Sequence, residues 1–306
     1  MTFLSLLTAL MLEQARPLRQ GNPVHLGYDH YTQVLESQFN GGQYRHGMIA
    51  WLLAVLPVVV AAVTVYHALH GMSPVAAWVW NVAVLYLTMG FRQFSHCFTE
   101  IQQALRAGDL ATAREQLGKW RGEPAPELGA SEIARVAIEQ GLLASHRHVF
   151  GTLFWFVAFG PAGAVLYHAA AVLAESWGAR TGPEQTEFGR FAVRAFFWID
   201  WVPARLTAAS FAIVGDFEGA AYCWRTQAAA WNAQSHDILL AAGGGALGVR
   251  LGDVLLQHGE LKFRPVLGAG DEADVDHVEY AVGLIWRALV LWMFLILLVS
   301  LAHALG

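Results

Sequence analysis

One long apolar stretch without a charged residue constrains the fold of this chain more than any other feature. Residues 48–69 contain no Asp, Glu, Lys or Arg, and a helix of this length spans the roughly 30 Å hydrocarbon layer of a bilayer at about 1.5 Å per residue. The stretch predicts a transmembrane helix, with Pro57 as a site for a kink. The composition agrees, because 56% of the residues are hydrophobic and only 14% are charged. We therefore expect an integral membrane protein, with membrane lipids among its partners.

Two other segments are predicted to form membrane helices. Residues 74–91 form an apolar run without a charged side chain. Residues 283–305 form another, in which Arg287 lies close enough to the start for its head group to reach the interface.

A fourth apolar segment, residues 149–173, allows two interpretations. It is long enough to cross a membrane, but the sequence Gly-Pro-Ala-Gly interrupts it at Gly160. It either crosses once with a kink or folds back as a helical hairpin. The arginines that follow it favour the hairpin, because this arrangement keeps them on the cytoplasmic side.

The distribution of Lys and Arg predicts the orientation. Neither occurs in residues 48–91, whereas both neighbouring polar stretches, 14–47 and 92–148, contain basic residues. The positive-inside rule therefore places these stretches in the cytoplasm, and we extend this to residues 216–282. We expect an all-α, multi-pass protein of the inner (plasma) membrane, with about four to five membrane-embedded helical segments plus amphipathic cytoplasmic helices. A single domain over residues 1–306 is the simplest organisation.

Two charges lie inside a further apolar run, residues 196–214. They are Asp200 and Arg205. Ionisable groups at membrane depth are costly unless they are paired or reach water, so we expect an interfacial or protein-buried helix here. Both residues are candidates for a functional site, and a purely structural pairing with other buried polar groups explains them equally well.

A glycine-rich sequence, residues 243–248, matches the G-x-G-x-x-G spacing of dinucleotide-binding loops. The residues before it do not read as the strand that such a fingerprint requires, so a dinucleotide site is not expected. A more general anion-binding loop, with Arg250 beside it, stays open.

Several functional classes are excluded or unsupported. The formal net charge of −5 gives no support to nucleic-acid binding. Cys97 and Cys223 lie far apart, which argues against a disulfide framework and against a cysteine zinc site. The 13 histidines form no H-E-x-x-H motif, so we predict no metal site and expect packed or interfacial histidines.

Six sequence blocks occur in the order found in one family of membrane proteins. They are ALRAGDLATAREQL, SEIARVAIE ending at Glu139, TLFWFVAFGPAGAVLYHA, DWVPARLTA at 200–208, GALGVRLG at 245–252 and PVLG at 265–268. By these blocks the chain resembles the CobD/CbiB family, and more distantly AmpE.

This resemblance implies a function in cobalamin biosynthesis. The family enzyme, adenosylcobinamide-phosphate synthase, joins adenosylcobyric acid to aminopropanol or its phosphate as an amide and uses ATP with magnesium. The resemblance thus implies a pocket for an anionic corrinoid and phosphates, with Mg and ATP as cofactors if the reaction is retained. Its candidate catalytic residues are Glu139, as the acid, and Asp200, as an orienting partner. Its candidate ligand-binding residues are Arg205, Gly245, Gly248, Arg250 and Gly252.

A second hypothesis stays open, because some of the family's acidic positions differ here. Gly122, Glu123 and Pro124 stand where the family typically has Gly-Arg-Asp, and Leu143 and Ala144 stand where it has Glu-Asn. In this alternative the chain is a non-catalytic, AmpE-like membrane signalling or accessory protein, with a second copy or another membrane protein as its partner.

Overall fold

The computed structural model describes residues 2–16, 22–122, 128–178, 187–227, 235–257 and 260–305. Glu123 and Pro124, which enter the comparison with the family pattern, lie outside the described residues. In chain order, the helices are α1 (Thr2–Ala15), α2 (Pro23–Phe39), α3 (Tyr44–Met72), α4 (Pro74–Thr88), α5 (Phe91–Arg106), α6 (Leu110–Arg121), α7 (Ala130–Ser145), a π-helical turn (His146–Phe150), α8 (Gly151–Phe159), α9 (Pro161–Gly178), α10 (Glu187–Val214), α11 (Phe217–Thr226), α12 (Ser235–Leu247) and α13 (Val275–Leu305).

The expected all-α class describes the bulk of the molecule, and four short strands are a local exception to it. Strand β1 (Arg250–Gly252) pairs antiparallel with β4 (Val266–Gly268), and β2 (Leu255–Gln257) pairs antiparallel with β3 (Glu260–Lys262). Each strand has only three residues. Strands this short have too few positions for an alternating pattern to be recognised in the sequence.

The chain divides into two compact units. The first comprises Met1–Gly90, Arg147–Val202 and Ala302–Gly306, and the second comprises Phe91–His146 and Pro203–Leu301. The single-domain organisation stays a prediction, since compact units of this kind also occur within one domain.

Two of the described helices are long and apolar enough to cross a membrane. They are α3 and the part of α13 from Val275 to Ala302, which contain the predicted segments 48–69 and 283–305. The predicted segment 74–91 forms the shorter helix α4, Pro74–Thr88, which has 15 residues. A perpendicular crossing needs about 20, so for 74–91 the structure supports an apolar helix but not a full crossing. The predicted number of four to five embedded segments stays a prediction.

Segment 149–173 has the hairpin form of the two alternatives. Helix α8 ends at Gly160, which has a φ of 63°, a left-handed conformation that glycine adopts without strain. Helix α9 then runs back along α8. Gly163 packs against the backbone of Trp155, and Gly151 packs against the ring of Tyr167. The first pair lies close to the turn at Gly160 and the second lies further from it along both helices, as expected for two antiparallel helices.

The core of the first unit is built from small residues on facing helices. Ala50 and Ala54 of α3 are fully buried, as are Ala170 and Leu173 of α9. Alanine at such positions lets two helix backbones approach closely, which favours helix packing inside a membrane. The core is closed by aromatic rings of α9 and α10, where Trp177 and Phe188 lie 4.9 Å apart.

The predicted helices of residues 92–148 are confirmed as α5, α6 and α7 in the second unit. Helix α6 begins where expected, because Asp109 accepts a hydrogen bond from the backbone N–H of Thr112 at 3.0 Å. Residues 216–282 contain α11, α12 and the four strands. This segment forms the second unit's polar part together with α7.

Candidate functional site

A polar pocket of about 430 Å³ opens in the second unit, beside α7, β1 and the residues that precede α13. Its lining includes Ser131, Glu132, Arg135, Arg250, Leu251, Asp253, Val254, Val266, Glu272 and Ala273. Two arginines and three carboxylates therefore face one space. Such a mixture suits a ligand that carries phosphate groups and a divalent cation.

Arg135 is the most buried cation of this pocket. Its Nη2 donates a hydrogen bond to the carbonyl of Val254 at 2.9 Å, and its Nη1 lies 3.5 Å from a carboxylate oxygen of Asp253. The side chain is only 12% exposed. Its Nε is buried and has no hydrogen-bond partner among the described residues. A buried donor without an acceptor costs about 1–3 kcal/mol. An anionic ligand would meet the exposed part of this side chain, which lines the pocket.

Arg250, a predicted ligand-binding residue, lines the same pocket from β1. Its Nη2 lies 3.7 Å from Glu272, and both side chains are more than half exposed. A separation of this size exceeds hydrogen-bonding distance, and exposed ion pairs contribute little to stability. A phosphate oxygen could therefore replace the carboxylate of Glu272 at small cost.

The start of α7 adds positive electrostatic potential to the pocket. Ser131 and Glu132 line the pocket from the first turn of this helix, where unpaired N–H groups and the helix dipole attract anions. Part of this capacity is used within the protein, because Glu132 accepts a hydrogen bond from the N–H of Gly129 at 2.8 Å.

Glu139, a predicted catalytic residue, holds the backbone next to the pocket. Its Oε1 accepts a hydrogen bond from the N–H of Gly252 at 2.7 Å, and its Oε2 accepts one from Nη1 of Arg264 at 2.7 Å. The carboxylate is 4% exposed. Because both oxygens have partners, Glu139 holds the end of β1 and Arg264 in place; we call this pair of contacts the clamp. Its catalytic role stays a prediction.

The clamp fixes an unusual backbone turn. Gly252 has a φ of 80° and Asp253 has a φ of 66°, a region that costs a residue with a side chain about 1 kcal/mol or more. Arg264 also donates hydrogen bonds to the carbonyls of Gly252 and Asp253, at 3.1 and 3.2 Å. The structure thus brings two predicted residues, Glu139 and Gly252, into contact. Gly252 lies in the same strand as Arg250, and the residue that follows it, Asp253, lines the pocket.

The anion-binding loop that the sequence leaves open at residues 243–248 is not formed, because residues 243–247 belong to helix α12. Gly245 is buried inside helix α12, which continues to Leu247, and a Cβ at Gly245 would overlap the carbonyl of Gly219 in α11. Gly248 follows the helix with a φ of 68°, and its carbonyl accepts the N–H of Asp271 at 3.1 Å. Gly245 thus permits close packing of α12 against α11, and Gly248 permits the turn that ends α12. Both roles require glycine, as a phosphate-binding loop does, so the same spacing can arise without a phosphate site.

The structure places Asp200 and Arg205 on α10. Asp200 is buried in the first unit and accepts a hydrogen bond from the hydroxyl of Tyr167 at 2.7 Å. Arg205 belongs to the second unit and is partly buried, but it is not among the described residues that line the polar pocket. The predicted roles of both residues stay predictions.

The sequence interpretation missed Arg135 and Arg264. For Arg135 a signal was available, because it lies four residues before Glu139 in the block SEIARVAIE and so shares its helix face. Arg264 meets Glu139 across 125 positions of sequence. No local spacing reveals such a contact.

A magnesium ion bound to phosphates fits the donors of this pocket better than a resident metal does. Within the described ranges, no group of three or more His, Cys, Asp or Glu side chains is arranged to hold a metal ion. Mg²⁺ that arrives with a nucleotide needs only one or two protein carboxylates in addition to phosphate oxygens and water. Asp253 and Glu272 can supply these.

Comparison with known proteins relates nearly the whole chain to one family. Residues 6–285 match a family profile described as CobD/Cbib protein. The chain is 36% identical to the cobalamin biosynthesis protein CobD of Stutzerimonas stutzeri, over 96% of this chain and 97% of that relative. It is 36% identical to the protein of the same description from Chromobacterium violaceum, over 80% of this chain and 73% of the relative. For that of Mycobacterium tuberculosis, the identity is 30% over 78% of each chain. No solved structure matches the chain.

Proposed function

Because the chain belongs to the CobD/CbiB family of cobalamin biosynthesis proteins, we propose that it joins adenosylcobyric acid to aminopropanol or its phosphate as an amide, with ATP and Mg²⁺. The observation that carries the proposal is the polar pocket of the second unit. Two of the blocks that resemble the family, SEIARVAIE and GALGVRLG, contribute Arg135 and Arg250 to its lining.

The charge distribution of the pocket suits this reaction. A carboxylate and an amine form an amide only when the carboxylate is activated, and Mg-ATP supplies that driving force when it is bound. The reactants carry several negative charges, which repel one another. Arg135 and Arg250 would reduce this repulsion by binding phosphate oxygens. Asp253 and Glu272, which lie beside these arginines, would supply carboxylate ligands for the magnesium ion. The Glu139–Arg264 pair keeps Asp253 in place, so we assign a positioning role to Glu139.

The same family membership and the two long apolar helices α3 and α13 support a membrane protein. We propose a multi-pass protein of the inner (plasma) membrane, with the polar portions 92–148 and 216–282 in the cytoplasm, where ATP is available. The basic residues of these portions support this orientation. The AmpE-like, non-catalytic alternative gains no support from the relatives reported above, whose printed descriptions refer to cobalamin biosynthesis.

The first test is a binding measurement with a matched control. Adenosylcobyric acid and Mg-ATP are titrated into the detergent-purified protein, and binding is followed by calorimetry and by the visible spectrum of the corrinoid. Replacing Arg250 by Ala should weaken Mg-ATP binding about tenfold or more, since a charged hydrogen bond contributes roughly 1.5–3 kcal/mol. The same change at Arg106, which pairs with Glu279 on the surface of the second unit, should leave binding unchanged.

Two outcomes would contradict the proposal. One is the absence of corrinoid binding at millimolar ligand by a protein that remains folded. The other is an equal loss of Mg-ATP affinity in the Arg250→Ala and Arg106→Ala variants, which would assign the effect to net charge and not to the pocket.

A further inference from the structure

Strands β1 and β4 form part of the wall of the polar pocket, and the ribbon that they make is very short. Arg250 lies opposite Gly268 at one end of the ribbon. Gly252 lies opposite Val266 at the other end, with one residue pair between them. An isolated ribbon of two strands is only marginally stable in water. Contacts from outside the ribbon are therefore needed to keep its strands, and with them Arg250, in place.

Different residues hold the two ends of the ribbon. At Gly252 the clamp holds the backbone, because Glu139 accepts the N–H and Arg264 donates to the carbonyl. At Gly268 a single side chain, that of Gln227, bonds to both backbone groups. Its Oε1 accepts the N–H of Gly268 at 2.7 Å, and its Nε2 donates to the carbonyl at 2.8 Å. The amide of Gln227 thus takes the place of a third strand at this residue.

The pairing of the strands explains why Gly268 needs a partner outside the ribbon. In antiparallel strands, residue pairs that share backbone hydrogen bonds alternate with pairs that share none. The N–H of Asp253 donates to the carbonyl of Pro265 at 3.2 Å, so by this alternation Arg250 and Gly268 share no backbone hydrogen bond. The N–H of Arg250 donates instead to the carbonyl of Asp271, at 2.9 Å. The N–H and the carbonyl of Gly268 therefore point away from β1.

Gln227 is carried by a closely packed helix. It follows the last turn of α11, and its N–H donates to the carbonyl of Cys223 at 2.9 Å. Helix α11 packs against α12, where the backbones of Gly219 and Gly245 come close together. Helix α12 leads into β1. The pair of helices therefore holds both strands, β1 through the chain itself and β4 through Gln227.

We propose that Gln227 is a positioning residue for Arg250. Its amide fixes Gly268, which lies opposite Arg250, and the segment that runs from there to Asp271. It thereby determines where the guanidinium of Arg250 enters the polar pocket. This role rests on the proposed function, because it requires that Arg250 bind phosphate groups there. Gln227 lies outside the six blocks that resemble the family, so the resemblance gives no indication of this role.

The test measures Mg-ATP binding to the detergent-purified protein by calorimetry. Gln227→Met nearly keeps the length of the side chain but removes both hydrogen bonds, so it should weaken binding about threefold to tenfold. Gln227→Asn has an amide one methylene too short to reach both groups. It should also weaken binding, and it replaces Gln227→Met if that variant does not fold. The matched control is Gln102→Met, which removes a contact with Glu279 and should bind Mg-ATP as the parent chain does.

A double-mutant cycle with Arg250→Ala separates positioning from a general structural role. Because Gln227 acts through Arg250, Gln227→Met should have no further effect on Mg-ATP affinity in the Arg250→Ala background. A general weakening of the second unit would reduce the affinity by the same factor in both backgrounds.

Either of two results would overturn this role and leave the proposed function intact. The first is parental Mg-ATP affinity in the Gln227 variants while Arg250→Ala is impaired. The second is an equal loss of affinity from Gln227→Met in both backgrounds of the cycle. A parental affinity in Arg250→Ala itself would instead contradict the proposed function of the pocket, and the role of Gln227 with it.

Discussion

At the scale of single residues, the ion pair of Glu139 and Arg264 connects the sequence blocks to the pocket. The glutamate is 4% exposed and the arginine 27% exposed, so water screens this pair less than it screens the surface pairs. Both side chains also bond to the backbone of Gly252. The pair therefore determines where β1 ends and where Asp253 points.

Replacing Glu139 by Gln should lower both stability and Mg-ATP affinity. The amide keeps the shape but leaves the guanidinium of Arg264 without its counter-ion, at a cost of about 1–3 kcal/mol. Thermal unfolding and calorimetry measure the two effects. The double variant Glu139→Gln/Arg264→Met should lose less stability than the sum of the losses in the two single variants. Normal stability and normal Mg-ATP affinity together with lost turnover would instead support the catalytic role that the sequence predicts for Glu139.

The sequence identifies residues well where they belong to a local pattern. Arg250 and Glu139 lie in recognisable blocks, and both occur at or beside the pocket. Arg264 and Asp253 depend on long-range contacts and on a positive φ, which no helical or strand period encodes. The lining of the site is therefore only partly predictable from the chain.

At the scale of elements, α12 shows how a correct motif can lead to a wrong local structure. The sequence leaves open an anion-binding loop at its glycines, but they lie in a helix that packs closely against α11. Glycine disfavours an isolated helix by about 1 kcal/mol relative to alanine, and here close packing outweighs that preference. Because α12 leads directly into β1, this packing also positions Arg250.

Gly245→Ala should destabilise the second unit. The added methyl group would overlap the carbonyl of Gly219 and lie 2.8 Å from the Cα of Ala220, both backbone atoms that move only with their helix. We expect a loss of about 1–3 kcal/mol, visible as a lower midpoint in thermal unfolding. Gly283→Ala in α13 is the matched change, since its Cβ meets no atom within 4 Å. Equal midpoints for the two variants would contradict the close contact.

The start of α13 should contribute a pH-dependent part of the stability. The carboxylate of Asp274 accepts a hydrogen bond from the backbone N–H of His277 at 2.9 Å. This bond, together with the imidazole of His277, lowers the pKa of Asp274 from its ordinary value of 3.8. A lowered pKa means that the stabilisation is complete above the pKa of the unfolded chain and is lost as the pH falls through the folded value.

Between about pH 5 and pH 3, Asp274→Asn should therefore lose less stability than the parent chain. The difference is a few tenths of a kcal/mol, because the side chain is 61% exposed and solvent screens it. Unfolding midpoints at both pH values provide the measurement. If the stability of the two chains depends on pH in the same way, Asp274 does not stabilise the start of α13 as described.

At the scale of the whole molecule, apolar length predicts more than charge pattern does. The segments 48–69 and 283–305 are found inside the two long apolar helices α3 and α13. The hairpin of α8 and α9 requires a left-handed Gly160 and two close glycine contacts, which the sequence allows but does not distinguish from a kinked crossing. Family resemblance covers residues 6–285, and so identifies the function class more firmly than it identifies any one residue's role.

The central claim, that the second unit's polar pocket supports ATP-dependent amide formation on a corrinoid, is tested most directly by product detection. The purified protein in lipid nanodiscs is incubated with adenosylcobyric acid, aminopropanol or its phosphate, and Mg-ATP, and the amide is measured by mass spectrometry. We predict product formation that requires ATP and Mg²⁺, falls at least about tenfold in Arg135→Ala, and persists in Arg106→Ala. Absence of product with either amine from a folded protein, or undiminished product from Arg135→Ala, would contradict the account.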